Sequence, residues 1–123
     1  MSANAQSFDF TTATQELDGA TLVTLTGELD IAAAPALITE LREVISHGGG
    51  PVILDARDLT YVDSSGLAVI ASTRAALKKA GRALMAFGCH GIFQRALHLS
   101  HLDREMACFS TLDEALSHVS PAR

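Results

Sequence analysis

The hydrophobic pattern at the start of the chain is that of a β-hairpin. Apolar and polar residues alternate over residues 8–12, which is typical of a strand with one buried face. Residues 22–26 form a second strand-like run after the turn signal Asp18-Gly19, where glycine adopts a positive φ at low cost. The pattern therefore predicts an antiparallel hairpin over residues 8–26.

A helical pattern follows this hairpin. Five apolar residues recur at helical spacing and form one stripe: Leu37, Ile38, Leu41, Val44 and Ile45. Pro35 suits the first turn of a helix, because a helix does not need the missing N–H there. The run Gly48-Gly49-Gly50-Pro51 is expected to end this helix.

The rest of the chain alternates short apolar runs with helical segments. The β-branched run at 52–54 is typical of a strand buried on both faces, with Asp55 ending it in solvent and 56–62 as a connection. Further strands are predicted at 83–87 and 106–109. Helices are predicted from the motif Asp63-Ser64-Ser65-Gly66 to Gly81, over 92–99 and over 112–119, the last capped by Thr111 with Glu114.

The order of these elements, ββαβαβαβα, indicates the α/β class. Strands that alternate with helices predict a mixed β-sheet with helical cover, an N-terminal hairpin and about four helices. No repeat or long linker divides the sequence. We therefore expect one domain over residues 8–119, with flexible termini at 1–7 and 120–123.

Charge and composition narrow the classes of partner. The formal net charge of −5 over 123 residues disfavours nucleic acid and anionic lipid as ligands. No apolar run approaches the roughly 20 residues of a membrane span, and residues 1–6 do not resemble a signal peptide. We expect a soluble cytoplasmic monomer without a membrane partner. Its cysteines, Cys89 and Cys108, are expected to be unpaired thiols, with Cys108 in the core.

The motif Asp63-Ser64-Ser65-Gly66 is the sharpest local chemical signal. Two hydroxyls stand at a predicted helix start, where one of them can cap the helix. For the motif taken alone, capping is the favoured interpretation. A helix start also offers free N–H groups and a partial positive charge, so it can accommodate a phosphate on serine. That phosphate would add about −1.5 to −2 charges and repel a partner packed there.

Two sequence signatures resemble the STAS domain family. Leu25-Thr26-Gly27-Glu28-Leu29-Asp30 looks like the first signature, at the end of the second strand. Val52-Ile53-Leu54-Asp55 followed by the segment 59–67 resembles the second, and residues 88–102 are similar to the family's loop and short third helix. Both signatures occur in the right order, and the resemblance covers about residues 8–119.

Within that family, the Asp-Ser-Ser-Gly form resembles the bacterial anti-sigma factor antagonists. The resemblance implies that an anti-sigma factor serine kinase phosphorylates Ser64, that the unphosphorylated protein binds this kinase and frees a sigma factor, and that a serine phosphatase restores binding. No enzymatic activity, cofactor or metal is then expected of this chain. The partner-binding residues implied by the resemblance are Glu28, Asp30, Asp63, Ser65, Gly66 and Leu67.

Several of these positions also have plain structural interpretations. Asp30 is as well suited to capping the following helix as to binding a partner. Asp63 can interact favourably with the positive end of the helix dipole or orient the serine hydroxyl. Gly66 allows either the close approach of a partner or a tight turn. Leu67 suits either exposed apolar contact or the core.

Other function classes have weaker support in the sequence. A hydrolase needs a placed base beside its serine, and no nucleophile motif is present. The pair His98 and His101 with Cys89-His90 lacks a convincing zinc ligand set. No phosphate-binding glycine loop precedes a helix, and the acidic pair of a receiver domain is missing. The remaining alternative is a STAS scaffold or subunit, of a stress-signalling complex or a lipid-transport ABC system, that works without phosphorylation.

Overall fold

The described part of the chain folds around one six-stranded sheet. The computed structural model describes residues 2–7 and 9–119, with backbone alone for 2–7. Its strands are β1 (Ser2–Ser7), β2 (Phe10–Leu17), β3 (Ala20–Leu29), β4 (Val52–Val62), β5 (Leu84–Phe87) and β6 (Ala107–Phe109). They lie side by side in sequence order; β1, β2 and β3 pair antiparallel, and β3 to β6 pair parallel. The sheet is therefore mixed, as predicted.

Among residues 2–7 and 9–119, four helices cover this sheet. They are α1 (Ala34–His47), α2 (Ser64–Lys79), α3 (Gly91–Leu99) and α4 (Leu112–Ser117), with a 3-10 turn at Leu102–Arg104. From β2 onward the order ββαβαβαβα is confirmed. The predicted Pro35 start of α1, its end before Gly48 and the Thr111 cap of α4 are confirmed as well. Among the described residues, no helix combines the length and apolar character that crossing a bilayer requires.

The core has two layers because successive strand residues point to opposite faces. On β4, Val52 and Leu54 face the layer that α1, α2 and α3 cover, while Ile53 faces the layer of α4. The same alternation occurs on β5. Burial on both faces explains why these strands are continuous apolar runs in the sequence.

Strand β4 is longer than the sequence pattern predicts. Residues 56–62 were predicted to be a connection, but β4 continues to Val62. Its pairing with β3 shifts register twice, and along its second half only Leu59 and Val62 are buried. The period-2 signal of a strand is lost at such irregularities, so the pattern resembles a loop.

Asp55 was predicted to turn into solvent, and this is wrong. Only 4% of its surface is exposed, and its Oδ1 accepts hydrogen bonds from Arg57 N and Arg57 Nε, both at 3.0 Å. Arg57 Nη2 donates to Asp55 Oδ2 at 2.9 Å, and hydrogen bonding to this carboxylate raises the pKa of Arg57. The paired guanidinium compensates for burial of the charge inside β4.

Ser2–Ser7 forms β1 at the edge of the sheet, where the hydrophobic pattern predicted no strand. The flexibility expected of residues 1–7 stays a prediction. Backbone hydrogen bonds hold an edge strand, and they leave no mark on the hydrophobic pattern. Met1, Phe8 and the predicted flexible segment 120–123 lie outside the described residues. Cys108, predicted in the core, is exposed on β6, because β6 forms the other edge of the sheet.

We predict that Leu54→Ala lowers the free energy of unfolding by about 2–5 kcal/mol. Leu54 is 1% exposed, so truncation removes core contacts and leaves a cavity. Leu99→Ala removes the same atoms at a position that is 68% exposed, and should change stability by less than about 0.5 kcal/mol. Urea unfolding followed by circular dichroism measures both values; equal losses would contradict this assignment of the core.

Candidate functional site

The two segments singled out in the sequence meet at one end of the sheet. Strand β3 ends at Leu29, and its last residues pair with the end of β4, where Glu28 is opposite Tyr61 and Leu29 is opposite Val62. The loop after β3 and the start of α2 therefore leave the sheet side by side. Asp63 N donates to Leu29 O at 3.2 Å and closes this junction.

The Asp63 carboxylate links the two segments. Its Oδ1 accepts a hydrogen bond from Gly66 N at 3.1 Å, which caps α2. Its Oδ2 accepts from Ile31 N at 3.2 Å, in the loop after β3. One side chain thus fixes the helix start relative to the neighbouring loop. The capping role that the serine hydroxyls were expected to fill belongs to Asp63.

Ser64 is the first residue of α2 and is exposed. The first backbone bond of the helix runs from Leu67 N to Asp63 O at 3.0 Å, so the N–H groups of Ser64 and Ser65 precede the bonded ladder. Asp63 supplies the cap, which leaves the Ser64 hydroxyl out of that bond. The result is an exposed hydroxyl at the positive end of a 16-residue helix.

Asp30 organises the loop that carries Ile31. Its Oδ1 accepts from Ala32 N and Ala33 N, both at 3.1 Å. These bonds hold the turn before α1, which begins at Ala34. Asp30 was predicted to cap α1, but the N-cap position is Ala33, and Asp30 stabilises the preceding turn instead. Ile31 is 72% exposed at the tip of this turn.

Gly66 is buried and packs inside the protein. A Cβ at this position would lie 2.5 Å from Leu29 Cγ and 2.7 Å from Leu29 O. This contact is neither the tight turn nor the approach of a partner that the sequence suggested for Gly66. The missing side chain lets α2 pack directly on the end of β3. Among the other predicted site residues, Glu28 is exposed, whereas Ser65 and Leu67 are half-buried, with Leu67 packed against the core.

A groove adjoins the Ser64 hydroxyl. Its volume is about 370 Å³, and its lining consists of Ser64, Leu67, Ala68 and Ala71 from α2 with Ser100, His101, Leu102 and Glu105 opposite. Arg74 fixes the opposite wall, donating from Nε to Glu105 O at 3.1 Å and pairing through Nη1 with Glu105 Oε1 at 3.2 Å.

Sequence reasoning missed that opposite wall and Ile31. Residues 100–105 are distant from Ser64 in the sequence and contact α2 only in the folded chain, so no local pattern marks them. Ile31 had a usable signal, since it is a large apolar residue directly after the first signature. Within the described part of the chain, no group of three or more histidine, cysteine or acidic side chains is arranged to hold a metal ion.

Comparison with known proteins adds a family and several relatives. The family model of the STAS domain matches residues 11–115. The anti-sigma-F factor antagonist RsfB of Mycobacterium tuberculosis is 29% identical over 109 residues, which are 86% of each chain. The crystal structure of an anti-sigma factor antagonist from Mycobacterium paratuberculosis has a TM-score of 0.82 at 28% identity, covering 94% of this chain and 97% of that one.

A more distant structure shares the fold alone. The Bacillus cell fate determinant SpoIIAA in the phosphorylated form has a TM-score of 0.69 at 19% identity. The alignment covers 86% of this chain and 96% of that one.

We predict that Asp63→Ala lowers the free energy of unfolding by about 1–3 kcal/mol, because it removes a helix cap and the bond to Ile31 N together. Asp63→Asn keeps one carbonyl acceptor and should lose less. Chemical denaturation gives both energies, and amide hydrogen exchange at Ile31 and Gly66 shows which bond is lost. Unchanged exchange at both amides in Asp63→Ala would contradict the proposed link.

A second prediction concerns Gly66→Ala. In an ordinary helix this change adds about 1 kcal/mol of stability. Here the new methyl group meets Leu29, so a loss of about 1–3 kcal/mol is expected. Gly49→Ala is the control, because nothing lies within 4 Å of its added Cβ. Thermal unfolding of both variants tests the sign; a stabilised Gly66→Ala would refute the close packing.

Proposed function

The chain belongs to the STAS domain family, and on that basis we propose that it is an anti-sigma factor antagonist controlled by phosphorylation of Ser64. In the unphosphorylated state it binds an anti-sigma factor serine kinase, and the sigma factor is released. Phosphate on Ser64 ends this binding, and a serine phosphatase restores it. The catalytic groups belong to the partners, and this chain supplies the hydroxyl and a binding surface.

The exposed Ser64 hydroxyl at the start of α2 carries the proposal. A kinase substrate must present its hydroxyl without unfolding, and here Asp63 caps the helix in place of the serine. Modification of Ser64 therefore leaves the cap intact. Ser65 is half-buried, which makes it the poorer substrate of the two.

Local electrostatics support a switch in binding without a change of fold. The free N–H groups and positive dipole at the start of α2 favour a phosphate there. A partner would meet a surface that already carries Asp63 and Asp30 and that gains about −1.5 to −2 charges. Burying this charge in an interface without a cationic partner is unfavourable. Phosphorylation of Ser64 therefore weakens binding of the partner while the domain stays folded.

We propose that the partner covers the Ser64 hydroxyl together with the adjoining groove. The expected contact residues are Glu28, Asp30, Ser64, Ser65 and Leu67, with Ile31 as an apolar contact beyond those anticipated from sequence. An exposed isoleucine on a turn held by Asp30 and Asp63 is preorganised, so binding costs little ordering. Asp63 and Gly66 support this surface from behind through their internal bonds and packing.

The relatives are consistent with this proposal. The M. tuberculosis protein RsfB is an anti-sigma-F factor antagonist, and SpoIIAA, which has the same fold, exists in a phosphorylated form. Such proteins are regulatory binding proteins. The alternative function is a STAS scaffold or transport subunit that works without phosphorylation. Such a protein would use the same surface and differ only in the use of Ser64.

The test combines mass spectrometry with binding. Incubation with the anti-sigma factor kinase of the same organism and ATP should add about 80 Da to the peptide that contains Ser64. Ser64→Ala should bind the kinase without being released by ATP. Ser64→Asp should weaken binding by at least about tenfold, which corresponds to about 1.4 kcal/mol.

Ser65→Ala is the matched control, since it removes the neighbouring hydroxyl and should be phosphorylated and bind like the wild type. Phosphate on Ser65, or equal ATP-dependent release of Ser64→Ala and wild type, would contradict the assignment. Stable kinase binding without any phosphorylation would favour the scaffold alternative.

A further inference from the structure

The two cysteines lie on the same side of the sheet, next to its β6 edge. Cys108 on β6 pairs with Ala86 on β5, whose side chain faces the layer covered by α1, α2 and α3. Cys89 follows β5 by two residues and packs against that same layer. Gly88 N donates to Phe109 O at 3.0 Å and holds the segment after β5 against β6. Both side chains are free thiols.

Each of these thiols shifts the pKa of the other more than any other neighbouring group does. The side-chain interaction with Cys89 lowers the pKa of Cys108, while burial and Asp103 oppose that shift. The reciprocal interaction, together with burial, raises the pKa of Cys89. The lowered pKa and the greater exposure of Cys108 make it the better nucleophile of the pair.

Small reagents can reach the Cys108 sulfur from solvent. Cys108 is exposed and lines a cavity of about 790 Å³ together with residues of α3 and Asp103. Arg95 and His98 line the same cavity. In its thiol form Cys108 donates to Met106 O at 3.6 Å, a weak bond that attack on an oxidant would easily break.

We propose that Cys89 and Cys108 form a reversible intramolecular disulfide when the protein meets hydrogen peroxide. The Cys108 sulfur attacks one peroxide oxygen, the O–O bond breaks, and sulfenic acid and one water form. The Cys89 sulfur then attacks the Cys108 sulfur and displaces a second water, so two thiols are oxidised and one peroxide is reduced. A dithiol reductant reverses the bridge by exchange.

Such a bridge would constrain a defined part of the fold. The segment 89–108 contains α3 and the 3-10 turn, including His101, Leu102 and Glu105 of the groove beside Ser64. Closing it with a covalent link restricts the local opening of this segment. The proposal is independent of the phosphorylation of Ser64, because it concerns the isolated chain and needs no partner.

The experiment treats the purified wild-type chain with hydrogen peroxide. Titration should fall from two free thiols per chain to none, the intact mass should drop by about 2 Da, and digestion should give a linked Cys89–Cys108 peptide. Dithiothreitol should restore both thiols. Hydrogen exchange of amides in 91–105 should slow in the oxidised form. In the reduced form, iodoacetamide should label Cys108 at least about tenfold faster than Cys89.

Two variants separate the roles of the thiols. Cys89→Ser should stop at sulfenic or more oxidised acids on Cys108, and Cys108→Ser should leave Cys89 as a free thiol under the same treatment. Disulfides only between two chains, or over-oxidation of wild-type Cys108 without a linked peptide, would overturn the proposal. Equal labelling rates of both cysteines would refute the assigned roles.

Discussion

The surface around Ser64 depends on the two hydrogen bonds that the Asp63 carboxylate accepts. One oxygen caps α2 at Gly66 and the other holds the loop after β3 at Ile31. Because one carboxylate serves both segments, the helix start and the loop cannot move independently. The packing of Gly66 on Leu29 brings the two segments close enough for this bridge to form. The exposed residues of the site, Ser64 and Ile31, are positioned by groups that are themselves less exposed.

The interactions that hold the fold are separate from the hydroxyl group that is proposed to be modified. The helix cap, the sheet junction and the core packing do not involve the Ser64 hydroxyl. Under the proposed function, a phosphate on that hydroxyl would meet free N–H groups and solvent, so the domain would tolerate it while an apposed protein would be repelled. The cysteine pair lies away from this point, at the β5–β6 side of α3. The 89–108 segment connects the two regions physically, since its residues form the opposite wall of the groove.

Sequence patterns predicted most of the fold and the position of the candidate motif at the start of α2. The helices and the strands from β2 onward were expected, because the period of the apolar residues matches the element that buries them. Failures occurred where the governing interaction is not periodic. The second half of β4 carries register shifts, Asp55 is buried against a guanidinium two residues away, and β1 is held by backbone bonds. Cys108 has an apolar neighbourhood in sequence and an exposed edge in space.

By itself the sequence determined the element order, the placement of the Asp63-Ser64-Ser65-Gly66 motif at a helix start, and the likeness of its signatures to one family. These features are local, or depend on spacing along the chain, so they can be recognised without coordinates. Only the tertiary structure decided which group caps α2, that Gly66 is packed and not presented, and which residues face Ser64 across the groove. Each of these depends on contacts between segments distant in sequence, whose geometry follows from sheet register and helix packing.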